Sequence, residues 1–290
     1  MDIIELTNVT KNFGHVTALN KLDLTVQAGE IFGFLGPNGA GKTTTIRLLL
    51  DFIRPTSGEV KLFAKNATEF STYLKSRVGY LSCENTSYIH WTGNEHFKFL
   101  QEARSKKSQN LKDLIKRLDF NPKSIVRTLS SGNLQKLNVI LALMFEPELL
   151  ILDEPTKALD PLLQHEIFRL LREFNKKGTT IFMSSHNLSE VESFCTRTGI
   201  IKQGKLVSME GMRDLKSKQM FNVEIFTDEE LGDKLFRIPT VDSIEQLPDR
   251  IRLKVKGDIN PVLQIISKHK IRDISIGKAA LEDIFMEFYK

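Results

Sequence analysis

Residues 36–43 read GPNGAGKT, between the apolar run EIFGFL and the stretch TTIRLLL. Strand, glycine loop and helix in that order form the setting in which G-x-x-x-x-G-K-[ST] marks a phosphate site. The glycines let the backbone wrap an anion at φ values other residues avoid. The inward amides of residues 39–44 and the helix dipole then supply positive potential. The pattern nominates Gly36, Pro37, Asn38, Gly39, Ala40, Gly41, Lys42, Thr43 and Thr44 as the cradle of a nucleotide's phosphates. Lys42 reaches the β- and γ-phosphates, Thr43 offers a hydroxyl to Mg²⁺, and Thr44 is a second phosphate donor.

Two further stretches carry chemistry. LLILDEP (149–155) is a buried strand that ends on Asp153 and Glu154. A carboxylate at such a tip can hold Mg²⁺ through water, and the next can polarise an attacking water. Alone, these carboxylates could equally cap the next helix; the phosphate loop upstream favours catalysis. His186 ends another buried strand, GTTIFMSSH (178–186), at the sheet edge where ligands bind in parallel α/β folds. LSSGNLQKL (129–137) places two serines and a glycine before a helical run. That is a helix cap and also a second anion site.

The pattern of elements divides the chain. Through about residue 218, apolar strands alternate with helices, as in an α/β layer fold. Residues 93–119 are mostly helical with a break at 105–110, and 132–145 form a helix; GIIKQGKLVSM (199–209) is a hairpin turning at Gln-Gly. Residues 219–290 read β-α-β-β-α-β, with helices at 228–236 and 260–269 and a last helix at 279–289, a small ferredoxin-like α+β unit.

The order phosphate loop, LSSGN, LLILDEP, ALD (158–160), SSH (184–186) resembles the nucleotide-binding subunit of ABC transporters over roughly residues 2–212. The resemblance implies a P-loop NTPase core with a helical subdomain at about 84–145. It implies two subunits paired head to tail, each signature closing over ATP held by the other. On that pattern Ser130, Ser131 and Gly132 face γ-phosphate in trans, and Asp160 crosses the seam near the partner's loop. Lys42, Glu154 and His186 are the catalytic set, with Glu154 as general base. Asp153 and Thr43 hold Mg²⁺, and Phe13 stacks on adenine unless it packs in the core. Tyr88, Trp91 and Phe97 either line a groove for a permease helix or form the insert's own core. The tail is expected to dimerise or regulate.

The sequence departs from the family pattern at five positions. GYLSCEN (79–85) puts Cys83 where a Gln or Glu ligates Mg²⁺, and a thiol suits that oxygen-seeking ion poorly; Glu84 could substitute after a register shift. Ser131 and Asn133 stand where a common LSGGQ has its first Gly and its Gln, while Lys157 and Ala158 stand where Asn and Gly are usual. The phosphate-holding and water-activating groups remain, so ATP hydrolysis is expected. A regulatory subunit with weak activity is the first alternative.

The second alternative is a non-transport ATPase of the same family acting on nucleic acid or ribosomes. Its only support is the formal charge of +5, which permits anionic partners and selects none; nucleic acid is not expected. Two cysteines among 290 residues exclude a disulfide scaffold. No basic-then-apolar leader opens the sequence and no run could cross a bilayer. A peripheral place on the cytoplasmic face of the membrane is expected, through a separate permease. Whether the ATPase pair is a homodimer or a heterodimer is open.

Overall fold

The computed structural model describes residues 1–83, 87–157, 159–212, 220–229 and 231–278. Glu84, Ala158 and the helix expected at 279–289 lie outside the described residues. Cα packing separates two compact units, Met1–Met209 and Glu210–Lys290.

The first unit holds two sheets. Strands β1 (Asp2–Phe13) and β2 (Val16–Gln27) pair antiparallel and continue through β4 (Ser57–Leu62) to β5 (Lys65–Asn66), in the order β2-β1-β4-β5. The second sheet is six-stranded, β10-β9-β3-β8-β7-β6. Its members are β3 (Ile31–Leu35), β6 (Val78–Leu81), β7 (Leu149–Asp153), β8 (Thr180–Ser185), β9 (Arg197–Lys202) and β10 (Lys205–Gly211). β9, β3, β8, β7 and β6 pair parallel. Every residue of β3, β7 and β8 is buried, as expected of parallel strands covered on both faces. Phe182 stacks on Phe32 with ring centroids 5.8 Å apart and touches Phe34 at 5.5 Å. The β9–β10 turn has Gln203 at φ 48° and Gly204 at φ 75°, the left-handed pair a two-residue hairpin needs.

Several helices of this unit have a local reason. α1 (Lys42–Leu49) opens from Gly41, whose φ of 113° bars an ordinary side chain, and a Cβ there would also sit 2.7 Å from Leu19 Cδ2. α2 is short (Ser71–Arg77). α3 (Gly93–Ala103) starts with a capping box between Thr92 and Glu95. α4 (Leu111–Arg117) and α5 (Ser131–Leu143) complete the helical insert. α6 (Pro161–Lys176) buries Ile167, Leu170, Leu171 and Phe174, a spacing that makes one apolar stripe. α7 (Leu188–Phe194) is capped by Asn187, which accepts from Ser189 N and Glu190 N.

The second unit has strands β11 (Met220–Phe226), β12 (Val241–Gln246), β13 (Arg250–Lys256) and β14 (Asp273–Lys278), in the antiparallel order β12-β13-β11-β14. Helix α8 (Asn260–Ile266) supplies Val262 and Ile266 to a core with Val223, Ile225, Leu253 and Val255. The helix expected at 228–236 is corrected to a 3-10 turn, Asp233–Phe236. Gly232 disfavours helix and Pro239 bars it from continuing, while fully buried Phe236 anchors the turn.

Candidate functional site

Parallel pairing assembles the site. Leu35 lies beside Ser185 and Asp153 beside Ser184, so the segments after β3, β7 and β8 leave the sheet at one edge. The phosphate loop, the carboxylate pair and His186 meet there. Lys42 is 5% exposed. Its ammonium donates to the carbonyls of Gly36 (2.7 Å) and Pro37 (3.2 Å) and stands 3.6 Å from Glu154 Oε1. Burial pulls the Lys42 pKa below its ordinary value, while Glu154, Asp153 and Cys83 act against that shift. Gly36 is held against the hairpin, where a Cβ would lie 2.4 Å from the Ile201 carbonyl. Thr44 is half-buried on the first turn of α1.

Thr43 Oγ1 donates to Asp153 Oδ2 at 3.2 Å, and Ser184 Oγ donates to Asp153 Oδ1 at 2.6 Å. Asp153 is 1% exposed, so those hydroxyls fix its carboxylate. Glu154 adopts φ 48°, a left-handed conformation that costs a non-glycine residue about 1–2 kcal/mol. Its amide donates to Ser184 O and Ser184 Oγ, both 3.2 Å. Its Oε1 meets His186 Nδ1 at 3.2 Å as well as Lys42, which leaves one carboxylate between an exposed imidazole and a buried ammonium. The oxygens of Thr43 and Asp153 suit Mg²⁺, which takes hard ligands; half-buried Cys83, two residues past β6, offers sulfur and does not fit.

The other predicted residues form a second group. Ser130 caps α5, its Oγ accepting from Asn133 N at 3.3 Å, and Asp160 caps α6, its Oδ1 accepting from Leu163 N at 3.0 Å. Ser130, Gly132, Asn133, Lys136, Asp160 and Leu163 line one cleft. A Cβ on Gly132 would stand 3.3 Å from Leu163 Cδ2, so two positive helix ends open side by side. Ser131 is exposed. None of the cleft's lining residues belongs to the phosphate loop. Gln135 Nε2 donates to the carbonyl of Pro155 at 2.5 Å, a direct tie from α5 to the segment after Glu154.

Phe13 is 49% exposed at the end of β1, with Lys11 Nζ 5.0 Å from its ring centroid, so the core-packing reading of Phe13 is corrected. Phe97 is 2% exposed and packs against Phe120, which settles it as core of the insert. Tyr88, by contrast, is 56% exposed and packs on Trp91 with ring centroids 4.3 Å apart and planes tilted by 32°. Sequence reasoning missed Ser184 and Gln135. Ser184 stood inside the quoted SSH, but its role depends on the register of two strands.

A family model for the ABC transporter matches residues 19–157. The bacitracin transport ATP-binding protein BcrA of Bacillus licheniformis is 39% identical over 209 residues, 71% of this chain and 68% of that protein. The chain belongs to the ABC transporter ATP-binding family. As an ABC ATPase it binds ATP and hydrolyses it. An uncharacterised ABC transporter ATP-binding protein of Bacillus subtilis, YhcH, is 29% identical over 292 residues, 98% of this chain and 95% of its own. That similarity runs through the tail. Among solved structures, the dimeric bacterial ABC cassette MJ0796 superposes with a TM-score of 0.68 over 72% of this ABC ATPase and 99% of its own chain, at 23% identity.

Proposed function

We propose that this ABC ATPase energises export through a separate membrane permease, and that each of its catalytic sites is shared by two subunits. The observation that carries the reading is the division of the predicted residues into two groups. Lys42, Thr43, Asp153, Glu154 and His186 converge at one sheet edge, while Ser130, Gly132 and Asp160 open into a separate cleft. A triphosphate gripped from both sides needs a second chain. ATP binding then closes the pair, and hydrolysis removes the bridge.

In the hydrolytic step Glu154 takes a proton from water, whose oxygen bonds to the γ-phosphorus as the bond to ADP's leaving oxygen breaks. Lys42 and the loop amides hold the developing negative charge. His186, at 3.2 Å, orients the Glu154 carboxylate and faces the γ-phosphate. Mg²⁺, when bound, would be held by Thr43 and Asp153 and would neutralise charge between phosphates. Phe13, exposed beside Lys11, offers a ring face to adenine.

A groove lined by Phe52, Tyr80, Tyr88, Phe99, Leu100 and Leu141 suits the permease's helix. Similarity to relatives named for bacitracin transport supports the exporter reading. Among the described residues no helix is long and apolar enough to cross a membrane, which is consistent with a peripheral subunit on the cytoplasmic face. The domain division proposed is an ATPase domain over 1–218 and an accessory domain over 219–290. The order β12-β13-β11-β14 supports a ferredoxin-like accessory domain with its first helix reduced to a turn. Dimerisation or regulation is its proposed role.

Mixing two inactive variants tests the shared site. Lys42→Ala and Ser130→Arg fall in one composite site of a mixed pair and leave the other site whole. Random pairing makes half the pairs mixed, each with one of two sites intact, so about a quarter of wild-type sites return. Trapping of labelled ATP by the mixture is the readout. No recovery in mixtures shown to exchange subunits would overturn the shared site.

A further inference from the structure

Beside the groove lies a surface of aromatic rings and cations that catalysis does not use. Phe70 and Tyr73 open α2 and are 42% and 50% exposed; Phe52, just past α1, is 56% exposed. Lys65 Nζ stands 4.6 Å from the Phe70 ring centroid and 5.9 Å from that of Tyr73, and Lys75 Nζ stands 5.5 Å from that of Phe52. Neither lysine has a carboxylate partner among the described residues. Glu148 is already taken by Arg77, which grips it with two hydrogen bonds, and Glu69 is the exposed acid beside Phe70. Arg104 donates to carbonyls at the end of α2, tying in the turn that carries exposed Lys106 and Lys107. Basic charge therefore outweighs acid here.

Single exposed apolar side chains need no explanation. Several rings with ammonium groups above them form the composition of a membrane interface, where rings sit at headgroup level and lysines meet lipid phosphate. We propose that this surface adheres to anionic phospholipid headgroups. Phe52 and Lys75 also line the groove assigned to the permease helix, so the patch continues that face. Its orientation toward the bilayer rests on that reading; its chemistry does not. Adhesion would hold the ATPase at the membrane before it meets the permease.

The test is sedimentation of the full chain, without permease, with vesicles of phosphatidylcholine alone or mixed with phosphatidylglycerol. Binding is expected to the anionic vesicles only and to weaken with salt. A basic residue near such a surface contributes about fivefold in affinity, so Lys65→Glu, a change of two charges, should weaken binding about 25-fold. Phe70→Ala with Tyr73→Ala should also release the protein, with basal ATPase activity unchanged in both variants. Wild-type protein that stays in the supernatant with both vesicles overturns the proposal. So does equal binding to neutral vesicles, unchanged binding of Lys65→Glu, or binding of single-stranded RNA in preference to vesicles. Because no permease is present, failure here leaves the permease reading standing, and that reading is tested separately by co-purification of the two chains.

Discussion

Ser184→Ala should separate the scaffold of the proposed Mg²⁺ site from its chemistry. Ser184 is fully buried, and its hydroxyl is one of two that fix Asp153, at 2.6 Å. Removing a hydrogen bond to a buried charged group costs about 1.5–3 kcal/mol. One oxygen is lost, so the cavity left is small. The Glu154 amide keeps Ser184 O as acceptor at 3.2 Å, so no backbone group is orphaned. At roughly 2–4 °C per kcal/mol for a domain of this size, the midpoint of thermal unfolding should fall about 3–12 °C. A ligating carboxylate freed from its support typically loses 10–100-fold in metal affinity. The Mg²⁺ concentration for half-maximal ATPase activity should rise by about that factor, with near-normal rates once Mg²⁺ saturates. Calorimetry and a Mg²⁺ titration read both effects. A lower midpoint with an unchanged Mg²⁺ requirement would show that Ser184 supports the strand and not the metal ligand. No change in either would refute the hydrogen bond itself.

Two further outcomes follow from the geometry. The Arg77 guanidinium holds the Glu148 carboxyl below its ordinary pKa of 4.5, so the pair's stabilisation is present above that value and is lost as pH falls through the lowered one. Glu148 is 55% exposed, so Glu148→Gln should cost only about 0.5–1 kcal/mol at pH 7 by chemical denaturation, and the difference should shrink as pH falls below 4.5. Burial pushes the Cys195 thiol far above its usual range, whereas Cys83 is half-buried near Lys42. A thiol reagent should label Cys83 alone in the native protein and both cysteines after denaturation, as read by mass spectrometry; rapid native labelling of Cys195 would contradict the packing.

Legibility in the sequence followed the range of the physics. The phosphate loop was readable because Gly41 at φ 113° and the strand-to-helix turn are demands made within eight residues. The buried strands were readable because IFGFL and LLIL (149–152) are apolar throughout, and the hairpin because Gln-Gly accepts two left-handed residues in a row. Ser184 was not readable: nothing in SSH says that its hydroxyl reaches a carboxylate 31 residues away until β7 and β8 are in register. The 3-10 turn at 233–236 was misjudged because a helical pattern survived on paper, although Gly232 and Pro239 leave too few residues to propagate a helix. The left-handed Glu154 was invisible as well, since glutamate shows no preference for that region. Local strain there swings the carboxylate between Lys42 and His186, and Gln135 ties the signature helix to the next residue, Pro155. A movement of α5 on closing over a partner's nucleotide would therefore bear directly on the backbone that aims the proposed base, linking each chain's signature to its own catalytic carboxylate.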